Sequence, residues 1–398
     1  MCRTITCLLG MTFVIPLTGG CGIDLGYVLP LVAGQATILL HSVPVDEAIR
    51  SGHLSDEEVA KLVLIRDVRD YAGREMGLNT ADNYTLFYDA GGVPLAFNIS
   101  ASHKHEFHAR KWELPIVGVL PYLGFFDPAA AARKFEELQA QGYDVFRYEI
   151  DAYSTLEYFP NPILSPMLRR SELSLVETVI HELLHSTVWH ATNITFNESL
   201  ATFVGRTGAI EYVAARYTDE PERAQEAVEH YEDTDLYNAF IFELYGELDA
   251  FYTSDLSVEE KIAGREAHYQ AGRERFVAEY QPRMHAPENY AWVADLPTNN
   301  AWMLANHRYN YDLDIFEQVH EATGRVWRDS LAAFRAAALT PDPGAYLRDR
   351  LAENDLSGTK RLPRVAAEVR QGSAGNEARR PDDFRRGPCP QPDCRPHR

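Results

Sequence analysis

The feature that most constrains this chain is a five-residue run with histidines four positions apart, His181-Glu182-Leu183-Leu184-His185. Apolar residues recur at helical spacing before and within it: Leu175, Val176, Val179, Ile180, Leu183 and Leu184. This period predicts a buried helix, and Ser174 with Glu177 predicts a capping box at its start. Positions i and i+4 of a helix lie one above the other, so the two imidazoles can reach one metal ion.

Glu182 is turned about 100° around the helix axis from its histidine neighbour. A carboxylate in this position lies beside a bound ion rather than on it. There it can take a proton from a water molecule that the ion has acidified. Histidines at this spacing, with the glutamate between them, are typical of zinc hydrolases, so we predict that Glu182 is a catalytic general base.

Two histidines fill half of a tetrahedral zinc site, so a third protein ligand is needed, with the fourth position left for water or substrate. Glu198 is the favoured candidate. The intervening residues allow the first helix to continue through Trp189, a polar reversal at 191–193, and a second helix starting near Thr195. That second helix would return Glu198 to the histidines. It carries small residues that permit close helix packing, Ala201 and Gly205.

Glu198 also has a competing interpretation, because Thr195-Phe196-Asn197-Glu198 is itself a capping-box pattern. In that case the glutamate would only close the start of the second helix. A histidine as third ligand is disfavoured, since Val188 and Ala191 occupy the positions where the HExxHxxGxxH arrangement needs glycine and histidine. A glutamate ligand is therefore the favoured interpretation.

Composition restricts the possible partners more than it restricts the possible folds. The formal net charge of -20 argues against nucleic-acid binding, because an acidic surface repels phosphates. With 398 residues, the chain is long enough for one large domain or two ordinary ones.

The N-terminal segment has the composition of a secretion signal. Arg3 precedes an apolar stretch from Ile5 to Leu17, and Thr18-Gly19-Gly20-Cys21 follows. The segment resembles a bacterial lipoprotein signal, which implies cleavage after residue 20 and a lipid anchor on Cys21. Glycine rather than aspartate at position 22 implies, by the same resemblance, the outer membrane of the cell envelope and a position facing the periplasm. An ordinary signal peptide or an uncleaved anchor is the alternative.

The hydrophobic periods predict strands first and helices afterwards. Strands are predicted at 84–88, 95–99, 116–120 and 145–150, with a hairpin turn at 89–92, and helices at 27–40, 56–76, 128–141, 221–232, 235–252, 258–280 and 312–323. The predicted fold class is α+β, with a strand-containing N-terminal lobe and a largely helical, zincin-like lobe. The HExxH helix lies at their junction.

Several segments occur in an order that resembles a known family: residues 27–35, 44–45, 112–118, 124–127, 152–156, the HExxH helix, 196–199 and 299–301. The chain is similar over about residues 21–340 to the bacterial family named "putative aminopeptidase", envelope lipoproteins grouped with the gluzincin metallopeptidases. The resemblance implies Zn²⁺ bound by His181, His185 and Glu198, with Glu182 as the catalytic glutamate. It also implies peptide substrates.

The signal-like segment, the resemblance and the composition of the C-terminal segment together predict three parts of the chain. They are a lipoprotein signal at 1–20, a gluzincin-like metallopeptidase domain at 21–355 and a disordered basic tail at 356–398, rich in arginine, proline and glycine. The tail contains Cys389 and Cys394, which either form a disulfide in an oxidising compartment or remain free thiols.

A donor that stabilises the charge on a reacting carbonyl is also expected. Tyr153 and Tyr309 are candidates, and His307 is a weaker one. The segment from Trp112 to Leu120 is either an edge strand for substrate or a structural strand. Residues 103–108 contain three histidines that could bind a second metal, but the sequence favours a solvated polar loop.

Together these patterns predict a zinc-dependent peptidase and, by the resemblance, an aminopeptidase that uses an activated water with Glu182 as general base. The alternative is a non-catalytic envelope lipoprotein in which the metal braces two helices as a scaffold. An open fourth coordination position argues against this alternative, because structural zinc sites normally have four protein ligands.

Overall fold

Short strands lie mostly in the N-terminal half of the chain, and helices dominate the C-terminal half. The computed structural model describes residues 25–92, 94–114, 118–152, 160–308 and 313–353. The predicted signal at 1–20, Cys21 and the predicted tail at 356–398 lie outside the described residues. The α+β class predicted from the sequence is confirmed.

The strands form small sheets. They are β1 (Val43–Pro44), β2 (Leu86–Tyr88), β3 (Ala96–Ser102), β4 (Trp112–Leu114), β5 (Gly118–Leu120), β6 (Leu123–Phe125), β7 (Asp144–Ile150) and β8 (Ile163–Leu164). One sheet has the order β1-β2-β8, and a second has the order β6-β3-β7. In the second sheet β3 pairs with β7 along its whole length, from Ala96 opposite Ile150 to Ser102 opposite Asp144. β4 and β5 form a separate antiparallel pair.

The hairpin predicted at 89–92 is wrong. Gly91 and Gly92 do adopt turn conformations, with φ of 67° and 78°. However, β2 pairs with β1 and β8, whereas β3 pairs with β6 and β7. The chain therefore passes from one sheet to another at this turn, because a turn fixes only the local chain direction and side-chain packing selects the partner strand.

Helices make up most of the remaining described structure. They are α1 (Leu25–His41), α2 (Val45–Arg50), α3 (Asp56–Tyr71), α4 (Pro128–Ala140), α5 (Glu172–His185), α6 (Ile194–Arg216), α7 (Pro221–Tyr252), α8 (Val258–Arg275), α9 (Asn300–Arg308), α10 (Leu313–Ala322), α11 (Trp327–Ala338) and α12 (Pro343–Ala352). A π-helical turn extends α3 to Met76, and another extends α8 to Tyr280. Ser55 and Glu58 cap α3 reciprocally. Among these helices, none is both long and apolar enough to span a membrane.

α7 is one helix where the sequence predicts two. The predicted break falls at residues 233 and 234. The Thr234 hydroxyl instead donates to the carbonyl of His230 within the helix, at 2.9 Å. The Asp233 carboxylate accepts the backbone N–H groups of His285 and Ala286, at 2.6 and 2.8 Å. Since these polar groups have partners in the continuous helix, no break is required.

The largest hydrophobic core includes α3, α5, α6, α10, α11 and α12. A second core joins α7, α8 and α9 to the 3₁₀ segment Pro287–Asp295, and a third lies between α4 and the sheet strands β3 and β7. Leu183 and Leu184 are completely buried in the first core. The helix that carries the histidines is therefore buried as the sequence predicts, and apolar packing fixes its position.

Candidate metal centre

The histidine helix α5 begins earlier than the sequence predicts. Ser171 is its N-cap, and the Ser171 hydroxyl accepts the backbone N–H of Ser174 at 3.3 Å. The predicted capping box of Ser174 and Glu177 is therefore wrong. The Ser174 hydroxyl lies inside the helix and accepts a hydrogen bond from Arg170 at 3.0 Å. Glu177 accepts one from the Tyr231 hydroxyl at 3.2 Å, which ties α5 to α7.

The reversal after α5 is built around the buried side chain of His190. α5 ends at His185, one turn before its predicted end. Nδ1 of His190 accepts the backbone N–H groups of Thr192 and Asn193, at 3.1 and 2.9 Å. Because Nδ1 is an acceptor, the proton lies on Nε2, which donates to the carbonyl of Thr340 at 2.9 Å. A neutral histidine therefore holds the turn that leads into α6.

Two asparagines fix the start of α6. Asn193 is the N-cap and accepts the N–H of Phe196 at 2.9 Å. The Asn197 side chain makes two hydrogen bonds to the backbone of His190, at 2.7 and 2.9 Å. Glu198 thus lies inside the helix, beyond the capping position. The interpretation of Glu198 as a helix cap is wrong, and the predicted helix start near residue 195 is confirmed.

α5 and α6 approach each other closely at small residues. Ala201 is fully buried. A Cβ atom at Gly205 would lie 3.1 Å from the carbonyl oxygen of Glu177 and 3.4 Å from Cβ of His181. This contact confirms the predicted close packing. It also determines how near Glu198, two turns earlier on α6, comes to the histidines.

We expect Gly205→Val to lower the stability of the protein and to weaken its binding of zinc. The valine methyl groups would press on the α5 backbone, which can respond only by moving away, and such overpacking costs about 1–3 kcal/mol. Gly246→Val is a matched control, because a Cβ at this position on α7 meets nothing within 4 Å. Thermal unfolding and zinc titration report the two effects. Equal loss of zinc affinity in both variants would contradict this account of the helix contact.

The side chains of His181, His185 and Glu198 converge at one point. Nε2 of His181 lies 3.5 Å from Oε2 of Glu198, and Nε2 of His185 lies 3.8 Å from the same oxygen. One ligand atom from each residue lies within 4.8 Å of the other two. Bonds of about 2.0–2.1 Å to a tetrahedral zinc ion place ligand atoms about 3.3–3.4 Å apart. The two histidine–glutamate distances exceed this spacing by only about 0.1–0.5 Å, which suits a zinc ion.

The surroundings shift the pKa values of the two histidines in opposite directions. Burial lowers the pKa of His185 to about 4, so this imidazole is neutral and can offer a lone pair. Burial alone would also lower the pKa of His181. The hydrogen bond to Glu198 and the charges of Glu182 and Glu198 outweigh it, and the pKa of His181 is raised. In the absence of metal, a proton on His181 is thus favoured where a cation would bind.

Glu182 lies in the same buried environment. Burial raises the pKa of Glu182 to about 7; the positive charges of His181 and Arg170 oppose this rise, and the charge of Glu198 adds to it. A carboxyl group with a pKa near neutrality can both accept and return a proton. This is the property that a general base needs.

Arg170 is a residue near the site that sequence reasoning missed. Its guanidinium makes two hydrogen bonds to Asp151, at 2.9 and 2.8 Å, and its side chain is only 10% exposed. Its charge lowers the pKa of Glu182. An arginine next to a helix cap has no distinctive pattern in the sequence, because its role depends on a partner 19 residues away.

Tyr84 is a second residue that sequence reasoning missed. Its backbone has a φ of 59°, which is unusual for a bulky residue, and its side chain is 3% exposed. Its hydroxyl has no hydrogen-bond partner in the described parts of the chain. Burial first, and then the charge of Glu182, raise the pKa of Tyr84. The hydroxyl is therefore a protonated donor in the electrostatic environment of Glu182. The sequence pattern places Tyr84 in a predicted strand and gives no indication of a role at this site.

Three further residues are predicted from the sequence as donors to the reacting carbonyl. Tyr153 and Tyr309 lie outside the described residues. The ring of His307 stacks on Tyr245, with centroids 4.0 Å apart, and burial lowers the pKa of His307 to about 4. The segment predicted as a substrate edge contains the pair β4 and β5, where Val119 is 49% exposed. Its role in substrate binding remains a prediction.

The fold and the site define an α+β protein with a candidate metal centre of the HExxH type, in which a glutamate on the next helix supplies the third ligand. Residues 26–344 match the family described as "Putative aminopeptidase", and the chain belongs to this family. The family predicted from the sequence resemblance is thereby confirmed. No curated protein and no solved structure matches the chain.

Proposed function

We propose that the protein is a zinc-dependent aminopeptidase. The observation that carries the proposal is the convergence of two imidazoles and one carboxylate beside Glu182, whose pKa burial raises to about 7. Membership of the family supports peptides as the substrates. Two histidines with one glutamate are a donor set that suits zinc better than a hard cation such as magnesium or calcium.

The proposed reaction divides between ion-binding residues and one proton-transferring residue. A zinc ion held by His181, His185 and Glu198 would supply Lewis acidity toward a peptide carbonyl and a water molecule. A carboxylate oxygen of Glu182 takes a proton from the attacking water and then gives it to the amine that leaves. Each proton that Glu182 accepts is thus returned within one turnover.

The residues around Glu182 keep this proton transfer reversible. Burial favours the neutral carboxylic acid, whereas the charge of Arg170 favours the carboxylate. Asp151 holds Arg170 in place through its two hydrogen bonds. The protonated hydroxyl of Tyr84 is the donor that we assign to the developing oxyanion, beside the sequence candidates Tyr153 and Tyr309.

A purely structural role for the metal is less well supported. Structural zinc sites normally close with four protein ligands. In the described ranges, the group around His181 contains three side chains with suitable ligand atoms. The fourth position is therefore assigned to water or substrate, which is what catalysis requires.

We also propose that the protein acts at the bacterial cell envelope. The lipoprotein-like segment at 1–20 would be removed, and a lipid on Cys21 would anchor the chain to the outer membrane, facing the periplasm. The peptidase domain at 21–355 would follow the anchor directly, and the basic segment 356–398 would form a tail. The family match to residues 26–344 lies within that domain.

The proposal predicts chelator-sensitive trimming of peptides from the amino end. The full chain should remove N-terminal residues from a mixed peptide library, lose this activity with a chelator and regain it with zinc. N-acetylated copies of the same peptides are the matched control, since an aminopeptidase needs the free amine. Mass spectrometry of the product ends measures cleavage of the free and the acetylated peptides. Cleavage of both peptide sets at internal bonds would identify an endopeptidase. Absence of metal-dependent cleavage would favour the alternative of a non-catalytic scaffold protein.

A further inference from the structure

We propose a second divalent metal site, formed by His103, His105 and Glu106 in the loop that follows β3. One ligand atom from each of these residues lies within 4.8 Å of the other two. Nε2 of His105 is 3.6 Å from Oε1 of Glu106, and the rings of His103 and His105 have centroids 5.5 Å apart. The sequence favours a solvated loop here, whereas the fold gathers three ligands on one side of it.

The loop is held in one conformation by its own backbone. The N–H of His103 donates to the carbonyl of His108 at 3.3 Å, and the N–H of His108 donates to the carbonyl of Glu106 at 3.0 Å. The Ser102 hydroxyl also donates to the His108 carbonyl, at 3.2 Å. A loop already closed in this way loses little conformational entropy when it binds an ion.

A buried asparagine fixes the same loop from the helical lobe. Asn300, at the start of α9, is completely buried. Its side-chain amide donates to the carbonyls of His103 and Glu106, at 3.0 and 3.4 Å. Its side-chain oxygen accepts the hydroxyls of Tyr252 and Tyr269, both at 3.0 Å. All the hydrogen-bonding capacity of Asn300 is thus used to hold this loop against α7 and α8.

A buried ion pair supports the loop as well. Arg265 on α8 donates to the carbonyl of Lys104 at 3.2 Å and makes two hydrogen bonds to Asp144, at 2.5 and 3.0 Å. The ring of Phe107 stacks on Tyr245, with centroids 4.3 Å apart. The apolar residue of the loop therefore packs inward. The neighbouring ligands keep contact with solvent, since the side chains of His105 and Glu106 are 29% and 49% exposed.

The chemistry of the three side chains selects the ion. Two imidazoles and a carboxylate suit zinc and related borderline cations, whereas calcium and magnesium prefer oxygen ligands. The partial exposure lets the ion enter directly from solvent. A bound ion would cross-link a loop that already joins β3 to α8 and α9. This inference does not depend on the proposed peptidase activity.

Zinc stoichiometry tests the proposal. The full chain, stripped of metal and titrated with zinc chloride, should bind two equivalents. The variant His103→Gln/His105→Gln should bind one, and so should His181→Gln/His185→Gln. His41→Gln/His53→Gln is the matched control, since it removes two exposed histidines outside either group, and it should still bind two.

Two further measurements separate binding from folding. Glu106→Gln should weaken the second zinc equivalent about tenfold or more while the circular dichroism spectrum stays unchanged, because it removes one charge from an exposed position. Peptide cleavage should persist in the loop variant, so loss of this site and loss of the proposed function are distinguishable. Binding of a single zinc by both the unmodified chain and the loop variant would overturn the proposal.

Discussion

Replacing Glu182 with glutamine should reduce peptide hydrolysis by about 10²–10⁴-fold while the protein keeps its metal. Glutamine has nearly the same shape as glutamate, but it cannot accept the proton of the attacking water, and general-base catalysis contributes a factor of this size. The proposed ligands are His181, His185 and Glu198, so zinc content should not change. Turnover of an N-terminally free peptide and bound zinc are measured on the same sample.

The matched control for this variant is Glu177→Gln, the same substitution on the same helix. Glu177 accepts a hydrogen bond from Tyr231 and has no role in the proposed proton transfer. The Glu177→Gln substitution should lower stability slightly, because the Tyr231 hydroxyl then has a weaker acceptor. It should leave most of the turnover intact. Undiminished hydrolysis by Glu182→Gln would remove Glu182 from the mechanism.

The Glu182→Gln variant should also be more stable than the unmodified protein once metal is removed. The folded pKa of Glu182 is about 7, above the ordinary value of 4.5, so the folded state binds more protons between these pH values. Ionisation of Glu182 therefore costs stability as the pH rises from about 4.5 to 7, and the cost is complete above pH 7. Glutamine does not titrate and escapes this cost, which is at most about 3 kcal/mol. Chemical unfolding with chelator present should show the gain at pH 8 and none at pH 4.

The sequence predicts the centre of this site well because its signals are local. The spacing of His181 and His185 on an apolar helical period places both imidazoles on one face, whatever surrounds them. Glu198 follows from the need for a third ligand and the number of residues available for a reversal. Gly205 follows from the same reasoning, since two helices that share an ion must pack closely. All of these expectations agree with the arrangement of α5 and α6.

The remaining features depend on residues that are distant in the sequence. Ser174, the predicted cap of α5, instead accepts a hydrogen bond from Arg170, whose partner Asp151 belongs to another segment. The unbroken helix α7 requires Asp233 to bond the backbone near residue 285. Tyr84 comes near Glu182 only through the assembled fold. A single-sequence pattern contains no signal for such contacts, because their partners are set by packing.

Replacing Glu198 with alanine should have the second large effect, the loss of metal and of the activity that depends on it. Oε2 of Glu198 lies 3.5 and 3.8 Å from Nε2 of the two histidines. Without it, two neutral imidazoles would hold a doubly positive ion with no anionic ligand. Zinc affinity should therefore fall by more than the roughly 10–100-fold loss that follows removal of a residue outside the coordination shell.

Asn193→Ala is the control that separates a ligand from a helix cap. Asn193 caps α6 and accepts the N–H of Phe196, so its loss should cost about 0.5–2 kcal/mol of stability and leave zinc bound. Glu198→Ala should show the reverse, with zinc lost and the α6 cap intact. Zinc titration and thermal unfolding, both started from the metal-free Glu198→Ala and Asn193→Ala variants, measure zinc affinity and stability. If Glu198→Ala kept its zinc affinity and lost stability as Asn193→Ala does, Glu198 would be a structural residue, and the histidines would need a different third ligand.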